Sequence, residues 1–505
     1  MDRRTFLVGV PATLALLRGN LLAETTKPAS ILTVHPDDVI ASMPHDFMGL
    51  SYESTQLGEP EFFSPQNTGL IRLFRTLSPS GNLRLGGNTS EFSYFKAAPS
   101  TPPPAYTPLP TQPATLTPIT PQALRNLRGF LDATGWNCIY GLNLGTATPE
   151  RVAEEAAEVA QILGTKLKYF QIGNEPNNYI RYKLRPTTWN ASAYIDEWLP
   201  FAQAVLKRVP HSRVSGPDMG AEREWMELFA QRVPPILGDR LAEITDHFYA
   251  EGPPTSPAST IEALLHNKKI LPEIAVMQSA GKLAHLPYRM TEVNSCYLGG
   301  KPGVSNTMAS ALWAGELTLR LLAAGFSGIN FHGGSARQIK ASLGGTLPGD
   351  DVAKASAADS YYTPIAGSQQ EGFHARPIFY GMMLAAKMAN GKLVRVSGSD
   401  GDNLIAYASL GGSGLRMALF NMTAAHHAVA IDASARYDEV VCQTLSAPAV
   451  DATTGIQFGA AEVDARGDFT ATQSAQKLRE GRNFEYQLAP FSAVMISFQH
   501  SSSSR

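Results

Sequence analysis

Cysteine is scarce in this 505-residue chain: Cys138, Cys296 and Cys442 are the three. An odd number, so widely spaced, excludes a disulfide framework. No C-x-x-C or H-E-x-x-H spacing points to a metal centre. Neither G-x-x-x-x-G-K nor G-x-S-x-G occurs, which argues against P-loop and nucleophile-elbow chemistry, and no cofactor is expected. Charge is also sparse, with 17% charged residues and a formal net charge of -2. Bulk charge therefore offers nothing to a nucleic acid. No basic run stands out beyond the scattered Arg181, Lys183 and Arg185. The N-terminal apolar stretch, Phe6 to Leu17, is interrupted by Gly9 and Pro11. It falls short of the ~20 residues that a membrane-spanning helix needs.

That stretch has another reading. Arg3-Arg4-Thr5-Phe6-Leu7 followed by a short, mildly apolar run looks like a bacterial twin-arginine export signal. Cleavage after Ala23 would leave an exported chain, periplasmic or secreted, with no membrane span; an uncleaved anchor is the alternative. Oligomeric state is not legible in the sequence.

From residue 46 to 390 short apolar runs alternate with helix-like stretches. The strand candidates are Phe47 to Glu53, Leu83 to Asn88, Cys138 to Asn143, Tyr169 to Glu175, Arg213 to Asp218, Ile244 to Tyr249, Tyr288 to Asn294 and Gly328 to Gly334. The clearest helices are Pro149 to Leu163, Ala191 to Val209, Glu222 to Val233, Ile261 to Gly281 and Thr307 to Ala324, with Ala375 to Asn390 closing the set. One buried run cannot be told from a helix segment, but eight alternations in order mean a (β/α)8 barrel. The proline-rich stretch from 99 to 121 reads as an extended loop after strand two. The Gly/Ser/Ala-rich stretch from Ser335 to Gly372 is too long for an ordinary connection, and reads as a lid or a disordered segment. From 391 to 500 short strands alternate with turn residues, the pattern of a β-sandwich. The segment 28–45, with Ile31-Leu32-Thr33-Val34, is expected to join it, and the serine tail 501–505 to be disordered.

Two strand ends carry the chemistry. Gln171-Ile172-Gly173-Asn174-Glu175-Pro176-Asn177 and Arg289-Met290-Thr291-Glu292-Val293-Asn294-Ser295 each place a glutamate after an apolar run. A β/α barrel gathers the C-terminal ends of its strands on one face, where active sites form. Two carboxylates so gathered suit glycoside hydrolysis, one protonated to donate to the leaving oxygen, one ionised to attack the anomeric carbon. Asn174 is placed to hydrogen-bond a sugar hydroxyl. Tyr249 or His247, ending strand six, is placed to hold Glu292 ionised.

Gly173-Asn174-Glu175-Pro176 together with Glu292 resembles clan A of the glycoside hydrolases, whose members are retaining. Leu83 to Asn88, Gln171 to Asn177, Glu292 to Ser295 with Tyr297-Leu298-Gly299-Gly300, Asn330 to Gly334 and Tyr362-Thr363-Pro364-Ile365 narrow the resemblance to family 79, the β-glucuronidases and heparanases. The resemblance implies that Glu175 is the acid/base and Glu292 the nucleophile. It implies that Glu53 and Asn88 contact sugar hydroxyls and that His332 lines the pocket floor. Tyr297, the backbone of Leu298, Gly299 and Gly300, and Tyr362 would hold a uronate carboxylate; Gly299 and Gly300 suit a close approach of N–H groups to an anion. Lys301 is near enough in sequence to assist. Most of Ser335 to Ser360 departs from the family pattern as an insertion, which leaves the position of Tyr362 open, and so does the choice between Phe248 and Tyr249. The expectation is a retaining exo-β-glucuronidase acting on a glycan or glucuronide. The alternatives are an endo-β-glucuronidase, an α-L-arabinofuranosidase and a non-catalytic carbohydrate-binding barrel.

Overall fold

The computed structural model describes residues 30–109, 112–220, 222–342, 360–399, 401, 403–412, 414–472, 476–477 and 482–500. The twin-arginine segment, the serine tail and most of the stretch between Ser342 and Ser360 lie outside the described residues.

Eight parallel strands close into a barrel in chain order: Met48–Glu53, Asn82–Gly86, Asn137–Leu142, Leu167–Ile172, Val214–Gly220, Leu241–Glu251, Tyr288–Cys296 and Ile329–Gly333. The eighth closes on the first, with Phe331 opposite Leu50 and His332 opposite Ser51. Strands one and two are buried along their whole length, as expected when helices cover one face and the barrel interior the other. The helix Pro149–Leu163 shows why its ends were readable. Thr148 caps it by accepting from the Arg151 N–H, Pro149 fills the first turn, and Gly164 ends it at φ 52.

Several boundaries differ from the sequence reading. Strand four stops at Ile172, so Glu175 stands on the turn beyond it. The helix expected from Ile261 to Gly281 is two, Ile261–Leu265 and Ile270–Ala284. Asn267 breaks it: its Nδ2 donates to the Ala250 carbonyl and Glu251, and its Oδ1 accepts from the Lys269 N–H. Such side-chain bonds offer the backbone an alternative to the helical ladder. Within the proline-rich stretch, Thr117–Ile119 forms a short strand that pairs with Ser93–Phe95. After strand eight a short helix, Ala336–Ser342, packs over the loop that follows strand one. There Thr55 Oγ1 donates to Gln338 Oε1 at 2.6 Å, and Gln338 Nε2 to Glu59 at 3.0 Å.

The C-terminal strands form one ten-stranded sheet, mostly antiparallel. Ser30–Ser42 lies within it, antiparallel to Lys392–Ser397 and parallel to His427–Asp432. Thr444 and Tyr486 stand near opposite ends of the strand order, yet their hydroxyls are 2.7 Å apart. The sheet therefore curls over itself. Its halves face each other across a core that includes Leu32, Val34, Leu419, Val440 and Phe498. The two layers of the expected sandwich are parts of a single hydrogen-bonded sheet. It docks on the barrel at the helix Met308–Ala323, whose first N–H groups donate to the Ala452 and Val450 carbonyls, while Tyr407 OH donates to Glu316 at 2.7 Å. Among the described residues no helix is long and apolar enough to cross a membrane.

Candidate active site

The C-terminal end of the barrel is organised around one buried cation. Arg84, on strand two, has no exposed surface. Its Nε donates to Gln171 at 2.7 Å; Nη1 donates to Ser51 at 3.1 Å and Glu292 at 2.7 Å; Nη2 donates to Asn174 at 2.8 Å and to Asp218. Every N–H of the guanidinium is thus used; Ser51 lies on strand one, Gln171 on strand four, Asn174 just beyond it, Asp218 on strand five and Glu292 on strand seven. A charge this deep is tolerated only when paired and fully hydrogen-bonded.

Glu292 accepts from Arg84 on one oxygen and from the Tyr249 hydroxyl, at 2.7 Å, on the other. His332 Nδ1 lies 3.7 Å away. Burial acts to raise the carboxyl pKa, but the charges of His332, His247 and Arg84 and the Tyr249 bond together hold it well below the usual range. Glu292 is therefore ionised. His247, buried on strand six, places Nε2 3.0 Å from Asp218 and Nδ1 3.1 Å from Glu175. Burial disfavours its charged form, yet Asp218 and Glu292 raise its pKa to about 10. The ring then carries protons on both nitrogens.

Glu175 adopts a left-handed conformation, φ 45, and its N–H donates to the Asp218 carbonyl at 2.8 Å. Its carboxylate accepts from Asn178 Nδ2 at 2.9 Å and faces His247. The Glu175 side chain is 16% exposed and that of Glu292 7%. A carboxylate oxygen of Glu175 and one of Glu292 lie within 4.8 Å of each other and of a His247 nitrogen. Three ligand atoms so close are also a spacing that a metal ion could use.

Glu175 and Glu292 open onto a cavity of about 220 Å³ that Glu53, Asn88, Tyr249, Tyr297, Leu298, His332 and Tyr362 also line. The structure thus gathers most of the residues the sequence singled out. Glu53 is fixed by the Thr89 N–H at 2.9 Å and hydroxyl at 2.6 Å, with His332 Nε2 at 3.4 Å. Asn174 sits behind the wall, donating to Asn88 Oδ1 at 3.0 Å and accepting from Arg84. The strand-six ring at the site is Tyr249, while Phe248 packs into the core. Tyr362 is in place, its ring 6.2 Å from that of Tyr249 and 5.8 Å from His332. Leu298, Gly299 and Gly300 have φ of 61, 84 and 87 in succession. Gly299 accepts from the Tyr361 N–H, and a Cβ on Gly300 would stand 2.8 Å from Tyr362 N. The glycines therefore seat Tyr362, and of the three residues Leu298 alone lines the cavity. Lys301 turns away: its Nζ donates to the carbonyls of Ser256 and Ser259, at 2.9 and 2.8 Å.

Sequence reasoning assigned no role to Arg84, Asp218 or Tyr182. Tyr182 lines the cavity with its hydroxyl 3.3 Å from Asn88. The signal for Arg84 was present, a lone charge inside the apolar run Leu83-Arg84-Leu85, which must find counter-charges. A larger cavity, of about 540 Å³, lies under the proline-rich segment beside Tyr94, Pro102 and Glu155, and neither glutamate of the pair reaches it.

The fold is that of β/α-barrel glycoside hydrolases. It overlays on a 4-O-α-L-rhamnosyl-β-D-glucuronidase from Fusarium oxysporum with a TM-score of 0.70 and 16% identity, over 93% of this chain and 99% of that one. An α-L-arabinofuranosidase from Thermotoga maritima gives 0.65 and 15% identity, over 93% and 100%. In sequence the chain is similar to a β-glucuronidase of Aspergillus niger, 25% identical over 338 residues, which are 59% of this chain and 60% of the relative. A β-glucuronidase of Neurospora crassa is 26% identical over 231 residues, 39% and 40% of the two chains. The chain thus spans about 60% or less of these relatives' length. No family model matches.

Proposed function

We propose that the protein is a retaining exo-β-glucuronidase of the family 79 type, which releases β-D-glucuronic acid from non-reducing ends. The observation that carries this reading is the pair Glu175 and Glu292, with oxygens within 4.8 Å and Glu292 held ionised. A retaining enzyme holds its carboxyl groups ~5–5.5 Å apart, whereas an inverting one needs ~6.5–9.5 Å to admit water. Glu292 attacks the anomeric carbon while Glu175 protonates the leaving oxygen. Glu175 then takes a proton from the water that releases the sugar. Similarity to β-glucuronidases supports a uronate, with Tyr297, Tyr362 and the Leu298 turn as its carboxylate site. The cavity, about 220 Å³, is smaller than the ~300–1,000 Å³ of drug-sized sites and suits one sugar ring. Ile339 and Ser342 of the helix after strand eight also line it, which favours a pocket over an open cleft.

The test is hydrolysis of paired aryl β-D-glucuronide and β-D-glucoside by wild type, Glu175→Gln and Glu292→Gln, with the product anomer followed by NMR. Cleavage of the glucuronide alone, β-anomer first, and its loss in both variants is the expected result. An α-anomer first, or full activity in either variant, refutes the assignment. We also infer export by the twin-arginine route, from Arg3-Arg4 and the apolar run after them. Replacing both arginines by lysine should leave the activity in the cytoplasmic fraction.

A further inference from the structure

Glu91 lies just beyond strand two and is buried, with no place in the cavity itself. Its Oε1 accepts from the Asn174 N–H at 2.6 Å and from the Tyr179 hydroxyl at 2.7 Å. Its Oε2 accepts from the N–H groups of Leu144 at 2.9 Å and Gly145 at 2.6 Å. Residues 174 and 179 bracket Glu175, and residues 144 and 145 belong to the loop after strand three. One carboxylate therefore ties the turn that carries Glu175 to two neighbouring loops.

That turn needs holding. Glu175 is a non-glycine residue at φ 45, a conformation that persists only where its surroundings impose it. Other restraints on the turn include the Glu175 N–H to Asp218 carbonyl bond and the bond from Trp189 Nε1 to the Pro176 carbonyl, at 2.8 Å each, and the bonds of Asn174 to Arg84 and Asn88. Glu91 adds two from a single rigid group. Burial pushes the Glu91 carboxyl up to about 7, against the pull of the bonds from Tyr179, Gly145 and Asn174. These four partners all donate, as does the Ser90 hydroxyl at 3.4 Å, so the ionised form is the one that satisfies them at once.

We propose that Glu91 is a positioning residue for the acid/base: its carboxylate sets the turn that aims Glu175 at the leaving oxygen and Asn174 at Arg84. The inference rests on the reading of Glu175 as acid/base. Glu91→Gln keeps the shape but turns an NH₂ group toward N–H donors on one side. Glu175 should then lose its aim while Glu292, anchored by Arg84 and Tyr249, keeps its own.

The experiment compares two aglycones, 2,4-dinitrophenyl and phenyl β-D-glucuronide, on wild type, Glu91→Gln and Glu175→Ala. A dinitrophenolate leaves without a proton; a phenolate needs one. Positioned proton transfer contributes ~10²–10⁴-fold, so partial misplacement should lower kcat/KM for the phenyl substrate by roughly 10–100-fold and for the dinitrophenyl substrate by less than about threefold. A merely structural role would lower both alike, and that result overturns the inference, as does no change in either. Glu175→Ala separates the two readings. If it shows the aglycone dependence and Glu91→Gln does not, the positioning role alone fails; if it shows none, the acid assignment fails and this inference with it. Should Glu91→Gln not fold, Tyr179→Phe removes one donor from Oε1 and should show the same aglycone split, smaller in size; an even loss or none overturns the proposal.

Discussion

Arg84→Met is the perturbation that bears most directly on how this site is built. Methionine fills much of the volume and supplies none of the five bonds to Gln171, Ser51, Glu292, Asn174 and Asp218. Two buried carboxylates lose their cation. Removing one partner of a buried ion pair costs about 3–5 kcal/mol, because the remaining charge stays behind uncompensated. With an unfolding entropy of about 2.1 cal/mol/K per residue, a 505-residue chain loses roughly 1 °C of melting temperature per kcal/mol, so a drop of about 3–5 °C follows at pH 7. The pH dependence is the sharper test. In the wild type the Asp218 and Glu292 pKa values lie below their unfolded values, so their contribution is present above the unfolded carboxylate pKa and is lost only as pH falls through the lowered folded values. In the variant burial dominates and raises both. The two groups then oppose folding at neutral pH and cease to do so as they take up protons. The deficit should be largest near pH 7 and shrink toward pH 4.5. Melting followed by far-UV circular dichroism at both pH values checks this. A deficit under about 1 °C, or one that does not shrink on acidification, would refute the account of Arg84 as the counter-charge of the site.

Tyr249→Phe removes the hydroxyl that donates to Glu292; a bond to a charged group is worth about 1.5–3 kcal/mol, so kcat/KM for phenyl β-D-glucuronide should fall roughly 10–150-fold in steady-state assays, and a fall under twofold would sink the role. His247 has a folded pKa raised to about 10, so its stabilising contribution is complete below the unfolded value of about 6.5 and is lost as pH rises through the folded one. The wild-type melting temperature should therefore fall more between pH 7 and pH 10 than that of His247→Gln, and parallel curves would count against a charged imidazole. Gly300→Ala forces a side chain against Tyr362 N in a left-handed conformation that costs about 1–2 kcal/mol. KM for the glucuronide should rise more than kcat falls; an unchanged KM would remove the Leu298 to Gly300 turn and Tyr362 from the carboxylate site.

The barrel was readable because its signals are local and repeated. Helix Pro149–Leu163 announces both ends, through Thr148, Pro149 and Gly164, and each barrel strand is a short apolar run. What failed locally was decided at a distance. Asn267 splits a helix only because the end of strand six offers it the Ala250 carbonyl and Glu251. The sandwich likewise appears in sequence as separate strands, and nothing in Glu439–Ser446 or Asn483–Leu488 says that two ends of one sheet will meet at Thr444 and Tyr486.

The site divides along the same line. Glu175 and Glu292 could be found because each ends an apolar run, and a barrel brings run ends together. Tyr297 and Tyr362 followed from resemblance to a family. Arg84, Asp218 and Glu91 did not, since each owes its part to groups far off in the chain: Arg84 to Glu292, Asp218 to His247, Glu91 to Asn174. A lone arginine between two leucines states that a counter-charge exists, not where. Three buried charges, Arg84, Asp218 and Glu292, are in contact through one guanidinium, with His247 bridging Asp218 to Glu175. A network joined this way couples Glu292 to His247: were Glu292 to bond to a sugar and lose its charge, as the proposed double displacement requires, an attraction that raises the His247 pKa would weaken. The ring that faces Glu175 would thus register the charge of Glu292 in each half of the proposed double displacement, through bonds that a barrel end can hold fixed.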